Sequence, residues 1–390
     1  MKEVNAKKEA IIACFKEKFG GEPLVIKSPG RINLIGEHTD YNNGYVMPAA
    51  IEQAAYVAIA KSGSKECKLE ALDLDEQYSF SIDDALKPVE MGWVNYFLGV
   101  LDQYNKKGLA LEGFNMVFTS DVPLGAGLSS SAALECSFGF AVSQLFGHEV
   151  SLVDVAKMGQ QAEHNFAGVK CGIMDQFASC LSTADHAIML DCRSLEYTSI
   201  PCDLKDYQLV LFDTAVKHNL ASSEYNVRRE QCESGVAVLQ KKFEGVESLR
   251  DATMEQLDAV KSELDAVVYD RCAYVISENN RVLKAAEALK SGDIELLGKL
   301  MTETHEGLSK QYEVSCAELD LLADIAKANP DIIGARMMGG GFGGCTINIV
   351  KKSGLDTAVE SVLESYKKVT QVELKHYIVA PGDGATLLKN

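Results

Sequence analysis

From Leu24 to Ile35 the chain runs through two short apolar stretches broken by Pro29-Gly30. Apolar runs bounded by turn residues predict strands at 24–26 and 31–35, followed by a polar loop from Gly36 to Gly44. Similar runs predict strands at 54–61, 67–72, 77–81 and 114–119. Residues 4–19 mix Ala10, Ile11, Ile12, Cys14 and Phe15 with charged residues, the pattern of an amphipathic helix, and 93–101 reads as a second helix. The segment 129–146 differs, because apolar residues occupy nearly every face, and it predicts a buried helix. Ser151-Leu-Val-Asp154 reads as a capping box opening a helix to about Phe166. Strands are expected at 187–190 and 207–212, then helices at 222–243, 253–263, 266–290, 293–310 and 316–328. Strands at 335–338 and 345–350, a helix at 355–368 and a strand at 372–379 close the pattern. With 390 residues the chain is long for one core, and we expect two domains, 1–200 and 201–390, with a soft boundary.

Composition narrows the partners. A net charge of −18 argues against nucleic acid and anionic membranes, both of which reward positive surface. No apolar run approaches the roughly 20 residues that span a bilayer, and the charged start Met-Lys-Glu-Val-Asn does not read as a signal peptide. Eleven cysteines are scattered without a C-x-x-C pair, which suggests free thiols in a reducing cytoplasm.

Candidate chemistry gathers in three places. Pro123-Leu-Gly-Ala-Gly-Leu-Ser-Ser-Ser-Ala132 joins a strand to the buried helix. It is neither a Walker A sequence nor a dinucleotide fingerprint, since Ser130 stands at the third glycine position. It reads equally as a tight turn with serine caps or as an anion site facing a helix N-terminus. Gly339-Gly-Gly-Phe-Gly-Gly344 holds five glycines in six residues, more than a hairpin needs, which points to a backbone packed against a ligand or another loop. Glu37, His38 and Asp40 crowd the polar loop; a solvated loop explains them, and so does a set of groups that hold sugar hydroxyls by paired hydrogen bonds. Asp175 and Arg31 each sit in an apolar run, and a buried ion pair between them is the plain reading.

Together these segments resemble one family. Gly30-Arg-Ile-Asn-Leu-Ile-Gly-Glu-His-Thr-Asp-Tyr41 is similar to the galactokinase signature. The Gly/Ser loop and the glycine loop resemble motifs of the wider family of galactokinase, homoserine kinase, mevalonate kinase and phosphomevalonate kinase. Gly172-Ile-Met-Asp-Gln176 and Ser222-Ser-Glu-Tyr-Asn-Val-Arg-Arg229 also match galactokinases. The resemblance implies a two-lobed α+β kinase fold with mixed and antiparallel sheets, its active site in the cleft between lobes. It implies ATP-dependent phosphorylation of α-D-galactose at the C1 hydroxyl, with Mg²⁺. Carried over, it makes Asp175 and Arg31 catalytic, and places Glu37, His38, Thr39, Asp40, Gly172 and Tyr225 around the sugar. It assigns ATP to Gly125, Ala126, Gly127, Leu128, Ser129, Ser130 and Ser131, with Trp93 and Tyr96 at the adenine, and the metal to Ser130 and Glu163.

An arginine beside Asp175 stabilises the carboxylate and blunts it as a base. In a loose phosphoryl-transfer transition state the nucleophile loses its proton late, so Asp175 is expected mainly to orient the hydroxyl. A non-catalytic galactose sensor is the competing reading; the Ser131-Ala132 pair, which such sensors lack, favours an enzyme. A kinase of N-acetylgalactosamine or L-arabinose is a second alternative. The oligomeric state is left open, with a monomer as the simplest expectation.

Overall fold

A computed structural model describes residues 2–216 and 221–388, with backbone alone for 2–5 and 221–223, so the side chains of Ser222 and Ser223 lie outside the described residues. The elements in order are α1 (Lys2–Phe19), β1 (Leu24–Asn33), β2 (Tyr45–Val46), β3 (Pro48–Lys61), β4 (Glu66–Ala71), β5 (Glu76–Ser81), α2 (Gly92–Lys106), β6 (Phe114–Ser120), α3 (Ser130–Phe146), α4 (Leu152–Ala162) and α5 (Met174–Leu181). There follow β7 (His186–Asp191), β8 (Tyr197–Pro201), β9 (Tyr207–Asp213), α6 (Ala221–Lys242), α7 (Met254–Ala259), α8 (Ala266–Ser291), α9 (Ile294–Lys310) and α10 (Ala317–Ala328). The chain ends with β10 (Ile332–Met337), β11 (Cys345–Lys351), α11 (Leu355–Thr370), β12 (Lys375–Val379) and β13 (Thr386–Leu387).

Three sheets organise these α+β elements. The first has the order β13-β1-β3-β6-β4-β5, antiparallel except for the parallel β4–β6 pair. The second, β10-β11-β9-β12, is antiparallel throughout and carries α9 and α10 against β10. The third is the small β2-β7-β8 sheet. Helix α3 lies against β1 and β3, and its all-round apolar surface is buried there, as the sequence predicts. The main core runs on without a break from Ile26, Val57 and Phe138 to Leu211, Leu297 and Ile347.

Local departures from the sequence reading have plain causes. Leu24 to Asn33 is one strand, not two, because Pro29-Gly30 makes a bulge in the β1–β3 ladder instead of ending it. At Ser151 only half of the capping box forms: its hydroxyl accepts from the Asp154 N–H at 3.1 Å, while the Asp154 carboxylate bonds that hydroxyl and not the backbone. Helix α4 stops at Ala162, and the chain continues through a π-helical turn, Glu163–Ala167. Such turns often mark functional sites.

Candidate active site

Six segments converge on a cavity of about 300 Å³ lined by Arg31, Glu37, His38, Asp40, Tyr96, Ser131, Glu163, Gly172, Asp175, Tyr225, Gly339 and Gly340, among others. The β1 bulge is what brings the first of them in. Past it, the Arg31 N–H leaves the ladder and donates to the Leu128 carbonyl of the Gly/Ser loop at 3.0 Å. Gly30 touches the same carbonyl so closely that a Cβ there would lie 2.6 Å from it. The Arg31 guanidinium, almost fully buried, then donates from Nε to Asp175 Oδ1 at 2.8 Å and from Nη1 to the Gly127 carbonyl. Asp175 stands in the first turn of α5, and its other oxygen accepts from the Ser129 hydroxyl. The expected ion pair is therefore present, and it faces the cavity instead of merely tying two segments together.

The Gly/Ser loop and the glycine loop pack backbone to backbone. A Cβ on Gly339 would lie 3.2 Å from the Gly127 carbonyl, and one on Gly344 would lie 3.2 Å from Ala126. Ala126 and Leu128 turn their side chains into the core. Gly125 and Gly127 look across a second cleft, about 240 Å³, at Gly340, Gly341, Gly343 and Gly344. Gly339 and Gly344 thus serve close approach to another loop, one of the two readings the sequence allows. Ser129 takes a left-handed φ of 58° as it enters α3.

Glu37 is held by a residue that sequence reasoning missed. Arg336, fully buried on β10, directs all five of its N–H donors inward: Nε to the Leu34 carbonyl, Nη1 to the Met337 carbonyl and Glu37 Oε1, Nη2 to the Asn33 carbonyl and Glu37 Oε1. Glu37 Oε1 also accepts from the Gly339 N–H at 2.9 Å. These bonds among the described residues all go to Oε1, which leaves Oε2 for a ligand. The signal was available: Arg336 interrupts an apolar strand just as Arg31 does.

Asp40 lies against Gly172, where a Cβ would fall 2.0 Å from its Oδ2, and it accepts from the Tyr41 N–H at 3.0 Å. Burial, and then the charge of Asp175, push its carboxyl up to about 7. Burial pushes Glu163 up to about 7 as well, against the pull of the Ser131 hydroxyl bonded to it. His38 is neutral, its pKa held down to about 3 chiefly by burial. Tyr225 closes the cavity beside the His38 ring, centroid to centroid 5.1 Å.

Two residues are placed elsewhere than the resemblance implies. The Thr39 hydroxyl lies 2.9 Å from the Gly36 carbonyl and 2.6 Å from that of Tyr45, inside its own loop and away from the cavity lining. Ser131, not Ser130, meets Glu163; both open α3, and the helix turn presents only the later one to the cavity. On α2, Tyr96 lines the cavity, and Trp93, one turn earlier, packs on Phe118 and donates to Glu76 at 2.6 Å.

The chain is similar to known proteins in sequence and in fold. A galactokinase galactose-binding signature matches residues 13–61, a GHMP kinase N-terminal domain 95–183, and a GHMP kinase C-terminal domain 285–368. A galactokinase of Thermotoga maritima is 42% identical over 361 residues, covering 93% of this chain and 99% of that one. A galactokinase of Clostridium acetobutylicum is 41% identical, covering 93% of this chain and 94% of its own. The crystal structure of Lactococcus lactis galactokinase complexed with galactose matches 98% of this chain and all of that one, with 34% identity and a TM-score of 0.94. A Methanococcus jannaschii mevalonate kinase, 20% identical with a TM-score of 0.63 over 93% of this chain and 99% of that one, shares the fold. From the buried signature loop to the paired glycine loops, and along nearly the whole of its length, the chain belongs to the galactokinase family.

Proposed function

We propose that this chain transfers the γ-phosphoryl group of ATP to the C1 hydroxyl of α-D-galactose, giving galactose 1-phosphate and ADP. The observation that carries this reading is the Arg31–Asp175 pair. It sits where the Gly/Ser loop, through Gly127 and Ser129, meets the cavity that holds Glu37, His38 and Asp40. The solved relative bound to galactose supports the choice of sugar.

In this reading Glu37 Oε2, His38, Asp40, Gly172 and Tyr225 surround the sugar and point its C1 hydroxyl at Asp175. Asp175, its two oxygens already engaged by Arg31 and Ser129, orients the nucleophile and takes its proton as the new bond forms. Arg31 offsets the charge that develops on the transferred group. Backbone N–H groups from Gly125 to Ser131, at the start of α3, hold the phosphates, and the α2 side with Tyr96 and Trp93 takes the adenine. Thr39 acts on the sugar only through the loop it braces.

The residues present fit a magnesium ion. Glu163 is a buried carboxylate short of positive charge, and Glu135 behind it is fully buried with Oε1 unpartnered among the described residues. No group of three His, Cys, Asp or Glu metal ligands occurs among the described residues. Ser131 and Glu163 would thus hold an ion that takes its other ligands from water and phosphate, and that ion, when bound, would neutralise phosphate charge. Eleven free thiols suit a cytoplasmic setting, and no helix among the described residues is long and apolar enough to cross a membrane.

The test is ADP release with Mg·ATP and galactose, N-acetylgalactosamine, L-arabinose, glucose or no sugar. Galactose-dependent turnover is expected, and Asp175→Asn is expected to lower kcat by about 10²–10⁴-fold while galactose still binds. Turnover confined to another sugar would move the substrate. Binding of galactose and ATP without turnover would favour a sensor.

A further inference from the structure

His38 combines two features. Its backbone is left-handed, with φ of 62°, a conformation that a non-glycine residue keeps only where its surroundings impose it. Its ring is enclosed by Tyr312, Tyr225 and Tyr41, at centroid distances of 5.0, 5.1 and 5.8 Å. Both ring nitrogens are engaged: Nε2 lies 3.2 Å from the Gly340 carbonyl oxygen and Nδ1 lies 2.8 Å from the Tyr41 hydroxyl. That hydroxyl is 2.7 Å from the Tyr312 hydroxyl, which is 3.2 Å from the Cys232 thiol.

The direction of every proton follows from the carbonyl at one end. A carbonyl oxygen only accepts, so Nε2 carries the hydrogen that faces Gly340. Burial keeps the imidazole neutral, so Nδ1 is an acceptor. Tyr41 then donates to Nδ1, Tyr312 donates to Tyr41, and the Cys232 thiol donates to Tyr312. Reversing any one of these would set two donors or two acceptors face to face inside the protein.

We propose that Cys232, Tyr312 and Tyr41 are positioning residues that lock His38 as an Nε2–H donor at the edge of the cavity. This rests on reading the cavity as the sugar site. The carboxylate oxygens of Glu37 and Asp40 accept, so a fixed donor between them gives the site both halves of what a hydroxyl offers. A sugar oxygen beside His38 is met by a hydrogen, and a sugar hydrogen beside Glu37 or Asp40 is met by an oxygen. The hydrogen bond to Gly340 is long, and a bound hydroxyl can share it, which ties sugar occupancy to the glycine loop.

The test is the histidine ring spectrum of nitrogen-labelled, sugar-free protein, with the His38 signals assigned by their loss in His38→Gln. The expected result is a neutral Nε2–H tautomer. In Tyr41→Phe, where the Gly340 carbonyl alone still holds the ring, the Nδ1 signal should lose its hydrogen-bonded shift, and the galactose KM should rise by about tenfold with little change in kcat, the effect of one mispositioned hydrogen bond. Cys232→Ser, which keeps a donor, should leave both unchanged. If Tyr41→Phe does not fold, Tyr312→Phe carries the KM test: Tyr41 keeps its bond to Nδ1 but loses the donor behind it, and a smaller rise in galactose KM is expected. An Nδ1–H tautomer in the native protein, or a Tyr41→Phe variant with a native Nδ1 signal and a native KM, would overturn the proposal. The tautomer is read without sugar, so it decides the positioning whether or not galactose proves to be the substrate.

Discussion

Two carboxyls in the cavity, Asp40 and Glu163, lie near neutrality for the same reason, burial beside the charge of Asp175. Without sugar, Asp40 is neutral below about 7 and ionised above it. Only the ionised form accepts through both oxygens. We therefore expect kcat/KM for galactose, at saturating Mg·ATP, to rise with pH and level off above about 7. Asp40→Asn should flatten that rise; a native profile that is flat from the outset would contradict it. Stability runs the other way. A carboxyl raised from 3.8 to about 7 favours the folded state fully below 3.8, and that contribution is lost as pH rises through about 7. At this scale the sequence is informative where a charge interrupts an apolar run, as at Arg31 and Asp175. It is silent on which of three consecutive serines faces Glu163, because successive residues on a helix point about 100° apart and only the packing sets the phase. Tyr41 and Tyr312 carry no such signal: their contact spans 271 positions, and an aromatic in a polar loop looks like any other.

Among the elements, β1 decides most. Its bulge lets one strand stay paired with β3 through Asn33 while it becomes a wall of the site from Arg31 onward. Gly30→Ala would drive a Cβ into the Leu128 carbonyl. We expect it to push the Gly/Ser loop outward, raise the KM for ATP more than that for galactose, and cost about 1–3 kcal/mol of stability. Kinetics with each substrate varied, together with denaturant unfolding, would check this; equal effects on both KM values would sink it. The helices and long strands were legible because each keeps its period over many residues. Strands β8 and β13 were not: Tyr197–Pro201 is mostly exposed and Thr386–Leu387 is too short to show any period. The bulge itself was visible as Pro-Gly, but those letters read as a break when no partner strand is in view.

The whole molecule closes on itself through its last strand. β13 pairs Leu387 with Ile26 and Thr386 with Lys27, and Gly382 bridges Ala50, so the end of the chain edges the sheet that carries Arg31. Removing residues 385–390 should lower Tm and, by loosening β1, reduce kcat without changing which sugar is used. A truncated protein with native Tm would show that this edge bears no load. The same geometry has a consequence for how the molecule comes into being. Glu37 leaves the ribosome 299 residues ahead of Arg336, the side chain that holds its carboxylate. At a synthesis rate of about 5–20 residues per second, that gap lasts roughly 15–60 seconds. Through that interval the nascent chain carries the signature loop without the arginine that shapes it, and the loop can take its folded form only after β10 has been made.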